Sequence, residues 1–297
     1  MSRENTKKRR IRFLDCLIML VFLAGICVML YPMASDRLNR MQANRALKEY
    51  RRMVQEAAPE DHSEVLAAAR DYNRRLKENP NPFSEVNKTE GYENTMRIGD
   101  SDIMGYVMIE KIRVRLPFYH GTDEEILQTS IGHLEGSSLP VGDPGEHVVL
   151  SAHRGLPSAK LFTDLPELSV GDTFVLTVLD QEMTYEVDQI LTVLPESHEA
   201  FEAIRPVPGE DLVTLMTCTP YGVNTHRLLV RGHRTENRAH EAAGISTENS
   251  GSENGSGNME AGRSFDRYIP YAAAAAIVIF IVLLFLPKKK YIKEEDQ

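Results

Sequence analysis

Three side chains in the polar part of the sequence could together attack a carbonyl group. Cys218 lies in Thr-Leu-Met-Thr-Cys-Thr-Pro-Tyr-Gly at 214–222, Arg227 follows a few residues later, and His153 lies in Ser-Ala-His-Arg-Gly at 151–155. A thiolate can attack the carbonyl carbon, an imidazole can carry the proton of the leaving amine, and a cation can stabilise the developing oxyanion. These residue types therefore suffice for covalent catalysis on an amide.

Each of these residues also has an ordinary structural interpretation. A single cysteine is often a small buried hydrophobe, a single histidine is often structural, and an arginine is often a surface charge. The other cysteines, Cys16 and Cys27, lie in an apolar run near the N-terminus, so Cys218 has no disulfide partner in the polar part of the chain. A free thiol outside the cell is a liability unless it is buried or used.

The elements that would position the three residues are short β-strands. Runs rich in β-branched and aromatic residues follow Met104 and are separated by Gly, Pro and Asp turns. Many short strands with few helices predict a mainly β fold and a closed or nearly closed barrel. Cys218 ends one predicted strand, Arg227 begins the next, and His153 ends a third, so we expect them at one rim of the barrel. The predicted strands are 105–109, 114–119, 147–152, 173–179, 184–193, 212–217 and 227–231.

An N-terminal helical region precedes these strands. Residues 37–77 have a helical pattern interrupted at Pro59, and Asp61 followed by Glu64 forms a capping-box pattern that predicts the start of a second helix. The sequence Asn-Pro-Asn-Pro-Phe at 79–83 ends that helix, because two prolines cannot continue it. After the last strand, a stretch rich in Glu, Asn, Ser and Gly predicts a flexible tether.

Two apolar runs, 13–31 and 268–286, are long enough to span a bilayer. Arginines and lysines precede the first run and lysines follow the second, which predicts cytoplasmic termini and an extracytoplasmic middle. We therefore expect a cell-membrane protein with two membrane helices. The alternative for the first run is a cleaved signal peptide, with Ala34-Ser35 as a poor cleavage region.

The composition limits the other functions. A net charge of -9 argues against binding of nucleic acid, and 7% aromatic residues with no Trp argue against a broad stacking surface. His120, His133 and His147 lack the spacing of metal ligands, so we expect neither a metal nor a cofactor.

The longest motif resembles the active-site signature of the class C, pilus-assembling sortases. It reads Thr-Leu-Met-Thr-Cys-Thr-Pro-Tyr-Gly-Val-Asn-Thr-His-Arg-Leu-Leu-Val-Arg-Gly at 214–232. The segment 151–155 resembles the histidine motif of this family, and the first two predicted strands are similar to those of its members. The resemblance covers roughly 83–234 and both anchors, and it implies a closed, sortase-type β-barrel.

This resemblance implies a cysteine transpeptidase. Its catalytic residues would be His153, Cys218 and Arg227, with Thr217 as a supporting residue beside the nucleophile. The enzyme would cleave a sorting signal of Leu-Pro-x-Thr-Gly (LPXTG) type between Thr and Gly and form a thioester. A lysine amine of the next pilin subunit would then form an isopeptide bond, which polymerises pili on the wall of a Gram-positive cell. Peptidoglycan precursor is an alternative acceptor.

Class C sortases resemble one another in a lid that bears Asp-Pro-aromatic, and the matching triplet is Asn81-Pro82-Phe83. An amide replaces the carboxylate that would pair with the catalytic arginine, whereas the aromatic ring is retained. Burying that ring is worth roughly 1.5–3 kcal/mol, against about 0–1 kcal/mol for an exposed ion pair. We therefore expect a lid held mainly by Phe83. The alternative is an ordinary Pro-rich linker.

The resulting domain prediction follows the composition shifts along the chain. It comprises a basic tail with the first membrane helix (1–35), a helical region (36–78), a lid and connector (79–103), the catalytic barrel (104–234), a flexible linker (235–267), the second membrane helix (268–287) and a basic cytoplasmic tail (288–297).

Other functions stay open at this point. A housekeeping sortase would attach proteins to peptidoglycan, and a hydrolytic cysteine protease would pass the acyl group to water. A non-catalytic adhesin or receptor would be a tethered surface domain without a reactive thiol. The C-terminal anchor and the candidate lid favour the pilus type.

Overall fold

A computed structural model describes residues 2–85 and 88–235. The described residues belong to two compact units, one up to residue 30 and the other from Tyr31 onward. The predicted linker beyond Thr235, the second membrane helix (268–287) and the basic tail (288–297) lie outside the described residues. The predicted domain boundaries therefore stay a proposal.

The chain begins with a long helix, α1 (Ser2–Glu56), which contains Pro32. Within the described residues, the segment Leu17–Glu56 is the helix that is long and apolar enough to cross a membrane, judged by length and composition. Large apolar side chains in its first part are exposed, including Leu20 and Val28. This helix could anchor the chain to a membrane.

The second helix, α2 (Pro59–Glu78), begins two residues before the predicted capping box. Ala58 is the N-cap, and its N–H donates to Asp61 Oδ2 at 3.0 Å. Pro59 takes the first helical position, where a missing N–H costs no intrahelical hydrogen bond. The prediction that Asp61 and Glu64 start the helix is therefore wrong, because Asp61 supplies the acidic half of a cap centred on Ala58.

Among the described residues, eight strands close a barrel in the order β1-β2-β3-β4-β7-β8-β6-β5. The pairs β2/β3 and β4/β7 are parallel. This architecture confirms the predicted mainly β, closed barrel with an N-terminal helical region. The strands are β1 (Ile103–Ile109), β2 (Val114–His120), β3 (Ile131–His133), β4 (Glu146–Ser151), β5 (Thr173–Val178), β6 (Gln181–Val193), β7 (Asp211–Thr219) and β8 (His226–Arg234). Two short helices, α3 (Glu124–Leu127) and α4 (His198–Ala203), lie in the connections.

Hydrogen bonds attach α1 and α2 to the barrel. Tyr50 of α1 donates its hydroxyl hydrogen to Met104 O at 3.2 Å and accepts from Leu179 N at 2.8 Å. Asn73 of α2 donates to Leu139 O at 2.9 Å and accepts from Leu139 N at 2.7 Å. Because Asn73 lies near the end of α2, these bonds fix the point from which the predicted lid departs.

Apolar side chains lie on both faces of the sheet around β4, β7 and β8. The inner face fills the barrel, with Val148, Leu150, Val213 and Leu215 buried there. The opposite face carries a smaller group that we call the outer cluster: Val149, Val193, Ile204 and Leu229.

Candidate active site

Strand register brings the three predicted catalytic residues to one rim. Cys218 of β7 lies directly opposite Arg227 of β8. On the other side of β7, Ser151 of β4 pairs with Met216 in a parallel register. His153 follows Ser151 by two residues, as Cys218 follows Met216, so both residues come directly after this last pair of the two neighbouring strands.

Alternation along β7 decides which way the thiol faces. Val213 and Leu215 pack in the barrel core, whereas Met216 packs against the outer cluster. Side chains two residues apart on a strand share a face, so Cys218 lies on the outer face with Met216. The directly opposite Arg227 shares that face. Cys218 is half-buried, which leaves the thiol open to a substrate on the outer face.

Thr217 faces the other way and is buried. Its hydroxyl donates to Ala152 O at 2.7 Å, and Ala152 N donates to Met216 O at 3.1 Å. These two bonds join β7 to the end of β4 next to both the cysteine and the histidine. The geometry therefore suits the predicted supporting role, because Thr217 holds two site-bearing segments together.

Arg227 is a half-buried cation with weak partners. Its Nη1 lies 3.5 Å from Asn224 O and 3.4 Å from His226 O. Among the described residues, no carboxylate forms an ion pair with it. The guanidinium is therefore available to an oxyanion on the outer face.

His153 is half-buried, and its ring is incompletely hydrogen-bonded. Within the described part of the chain, Nε2 is shielded from solvent and has no hydrogen-bond partner. Glu124 Oε2 lies 3.6 Å from it, just beyond hydrogen-bonding distance. The sequence alone gives Glu124 no role, since it lies 29 positions before the histidine and outside both motifs.

Arg154 is a second residue for which the sequence alone indicates no role. It donates to Thr219 Oγ1 at 3.0 Å, and its guanidinium carbon lies 5.9 Å from the centre of the Tyr221 ring. These contacts tie the loop after β4 to the end of β7 and to the loop that follows it. The Ser-Ala-His-Arg-Gly motif contained this residue, but its partners are distant in sequence.

The predicted lid lies over the outer cluster. Phe83 packs against this cluster, with its ring centre 6.0 Å from that of Phe201 in α4. Pro82 is so close to Gly136 that a Cβ there would lie 2.5 Å from the Pro82 carbonyl oxygen. Asn81 is exposed and donates its backbone N–H to Asn79 Oδ1 at 3.0 Å. The aromatic residue thus makes the packing contact, and the amide of Asn81 turns to solvent.

A cavity of about 500 Å³ adjoins the lid. Its walls come from the end of α2, the lid, the β3–β4 loop and the segment around α4. Residues that line it include Leu76, Pro82, Phe83, Gly136, Phe201 and Ile204. The mixture of aromatic and aliphatic walls with exposed backbone suits an extended peptide with apolar side chains.

Two buried histidines hold the loops that form these walls. His147 Nδ1 lies 2.9 Å from Arg205 O and its Nε2 lies 2.7 Å from Thr214 Oγ1. Since a carbonyl can only accept, Nδ1 carries the proton and Nε2 accepts from the threonine. His133 Nε2 likewise donates to Ser138 O at 2.9 Å, and Nδ1 accepts from Tyr92 Oη at 2.8 Å. Burial lowers the pKa of both histidines to about 4, so they are neutral at pH 7.

No group of His, Cys, Asp and Glu that could hold a metal ion occurs among the described residues. The rings of His120 and His133 both pack against Tyr92. His120 packs edge-on against Tyr92, with ring centres 5.1 Å apart.

Comparison with known proteins decides the family. A sortase-domain profile matches residues 107–235. The crystal structure of sortase C1 from Streptococcus agalactiae is 46% identical, and the match covers 65% of this chain and 99% of that chain with a TM-score of 0.59. This chain belongs to the sortase family. The predicted resemblance to class C sortases, a family of cysteine transpeptidases, is thereby confirmed.

Other sortases are similar over different lengths. Sortase C of Streptococcus pneumoniae is 43% identical, with 64% of this chain and 95% of that chain covered and a TM-score of 0.57. Sortase D of Bacillus subtilis (strain 168) is 31% identical over 133 residues, which is 44% of this chain and 63% of that protein. The chain thus spans less than two thirds of the length of the curated sortases that it matches.

Proposed function

We propose that this sortase is a membrane-anchored transpeptidase that polymerises pilin subunits. Its donor substrate is a sorting signal of LPXTG type and its acceptor is a pilin lysine. The observation that carries the proposal is the strand pairing: Cys218 pairs with Arg227, and Ser151, two residues before His153, pairs with Met216, two residues before Cys218. The solved structure of the Streptococcus pneumoniae sortase C is described in terms of pilin substrate specificity, which supports the same substrate class here.

The first half-reaction forms an acyl-enzyme. The Cys218 thiolate attacks the carbonyl carbon of the signal's threonine, and the negative charge that develops on oxygen is stabilised by Arg227. His153 gives a proton to the glycine nitrogen as the C–N bond breaks. The products are a thioester on Cys218 and a free amino terminus on the released fragment.

The second half-reaction returns the enzyme to its starting state. The lysine amine attacks the thioester carbonyl, loses a proton to His153, and expels the Cys218 thiolate. The product is an isopeptide bond between the two subunits. A peptidoglycan amine in place of lysine would give the housekeeping reaction, and water would give hydrolysis.

The cavity beside the lid supports an extended apolar donor. Phe201 and Ile204 line it, and the outer cluster continues from there to Met216, two residues before the nucleophile. A Leu-Pro segment laid over this face would place the following threonine towards the rim. For the donor to bind there, the lid residues Asn81-Pro82-Phe83 must move aside.

The anchoring part of the proposal rests on α1 and on sequence. The apolar helix at the N-terminus supplies one anchor. The second anchor at 268–287 and the cytoplasmic position of both termini follow from the charge pattern alone.

The decisive experiment follows acyl-enzyme formation in the full-length protein in detergent. It is incubated with a sorting-signal peptide, and Cys218 is examined by mass spectrometry before and after a pilin acceptor is added. We expect a thioester on Cys218, then a lysine isopeptide in the product. Cys218→Ala should form neither. A folded wild-type protein that forms no thioester would contradict the proposal, and hydrolysis without amine capture would favour the protease alternative.

A further inference from the structure

The catalytic histidine faces a carboxylate that no step of the mechanism has used. His153 Nε2 is shielded from solvent, lacks a hydrogen-bond partner among the described residues, and lies 3.6 Å from Glu124 Oε2. A ring nitrogen shut off from water gains more from a nearby acceptor than an exposed one does, since water cannot replace that acceptor. A small movement of the Glu124 side chain towards Nε2 would form a charge-assisted hydrogen bond.

The position of Glu124 is itself fixed by the fold. Glu124 begins α3, and its Oε1 accepts a hydrogen bond from Gln128 Nε2. The helix lies tightly against β3, where a Cβ on Gly132 would approach Leu127 Cδ2 to 3.1 Å and Gly121 O to 2.3 Å. One carboxylate oxygen is therefore engaged by Gln128, which leaves Oε2 for the histidine.

The neighbouring charges do not compete for this contact. Arg154 is committed to Thr219 Oγ1, and it also donates to Thr163 O at 3.3 Å. Arg227 of β8 pairs with Cys218 of β7, and its guanidinium donates to backbone carbonyls. Among the described residues, Glu124 is the acidic partner within 4 Å of His153.

We propose that Glu124 is a positioning residue for His153. It accepts a hydrogen bond from the Nε2–H group, which fixes the tautomer and leaves Nδ1 as the nitrogen that exchanges protons with Cys218 and with the substrate amines. Gln128 in turn holds the carboxylate. The inference rests on the proposed transpeptidase function for its kinetic consequence, but the tautomer can be measured without substrate.

The exposure of Glu124 sets the size of the effect. Its side chain is 70% exposed, so solvent screens the pair. Loss of an exposed pair worth up to about 1 kcal/mol predicts a fall in kcat of about three- to fivefold. KM for the sorting-signal peptide should change less than about twofold, since Glu124 acts through the histidine and not on the peptide.

The test compares Glu124→Gln and Gln128→Ala with the matched control Glu125→Gln in the full-length protein. Glu125 is the adjacent carboxylate of α3 and is exposed. The ¹⁵N resonances of the His153 ring, assigned by their loss in His153→Asn, report the tautomer at alkaline pH where imidazole is neutral. The kinetic parameters are measured on the same variants.

We expect the Nε2–H tautomer to dominate in the wild type and in Glu125→Gln, and to give way to a mixture in Glu124→Gln. Gln128→Ala should move tautomer and kcat in the same direction by less. An unchanged tautomer in Glu124→Gln, or an equal fall in kcat in Glu125→Gln, would overturn the inference. If the wild type forms no thioester, the proposed function fails, while the ring resonances still decide whether Glu124 holds the histidine.

Discussion

The histidine at the rim of the barrel and the histidines in its walls differ in how their ring nitrogens are hydrogen-bonded. His133 and His147 are buried, and each has a hydrogen-bond partner on both ring nitrogens. His153 at the rim is half-buried, and its Nε2 lacks such a partner among the described residues. A ring whose nitrogens are both occupied holds loops in place. A ring that keeps one nitrogen for the reactants, which is Nδ1 in the arrangement proposed above, can exchange protons as the proposed reaction requires.

This difference separates residues that should matter for catalysis from residues that should matter for the stability of the fold. Variants at the rim should lose turnover and keep the fold, whereas variants of the wall histidines should change stability and keep the chemistry. The following predictions test that division.

The largest effect is expected at the rim. Arg227→Ala should reduce the turnover of a sorting-signal peptide by about 10²–10³, because the oxyanion loses its cation. Steady-state kinetics with circular dichroism as the check on folding measures this. The matched control is Arg231→Ala on the same face of β8, where the arginine is paired with Asp188 at 2.8 Å. Undiminished turnover in a folded Arg227→Ala protein would contradict the role given to the arginine.

A second effect concerns the stability supplied by His147. Its pKa is lowered by burial to about 4 in the folded protein, against about 6.5 for an unperturbed histidine. The neutral ring therefore stabilises the fold fully above pH 6.5, and this contribution of up to about 3 kcal/mol is lost as the pH falls towards 4. Glu146 opposes this trend, since burial raises its pKa to about 7.

We therefore expect His147→Gln to lose less stability than the wild type between pH 7 and pH 5, whatever its absolute stability. Urea denaturation at the two pH values measures this difference. The control is His198→Gln, because the His198 side chain is 90% exposed and should not alter the pH dependence. Equal losses in the His147→Gln and wild-type proteins would show that the wall histidine does not resist protonation.

The smallest effect is expected at the lid. Phe83 is only half-buried, so its packing on the outer cluster is worth about 1 kcal/mol. Phe83→Ala should accelerate alkylation of Cys218 by roughly three- to tenfold, since a weaker lid opens more often. Ser84→Ala, at an exposed neighbour in the same segment, is the control. An unchanged alkylation rate in Phe83→Ala would mean that this segment is a linker and leaves the thiol uncovered.

The strands and the candidate catalytic residues could be predicted from the sequence, because both depend on local patterns of residues. Alternating runs predicted the barrel, and two motifs placed Cys218, His153 and Arg227 at strand ends. The three-residue β3 was not predicted, because it is a strand only by virtue of its partners β2 and β4. The capping error at Asp61 arose because the pattern does not say which residue of the turn serves as N-cap.

Local sequence patterns could not predict contacts between residues that are distant in the sequence. Glu124 shares no motif with His153, and the roles of His133 and His147 depend on Tyr92 and Arg205, which belong to other segments. The spacing of these histidines argued against metal binding, but it did not show which groups they contact. In each case the missing information was a tertiary neighbour.

The parallel pairing of β4 with β7 has a consequence for the newly made chain. The bond between Thr217 and Ala152 joins residues 65 positions apart, so the histidine and the cysteine meet only after most of the barrel sequence has been synthesised. Pairings of such long range form late and slowly compared with local structure. Before β4 pairs with β7, Cys218 therefore has no fixed neighbour from the segment that carries His153. Completion of the barrel is therefore the step that brings the proposed nucleophile and the segment of its proposed histidine partner together.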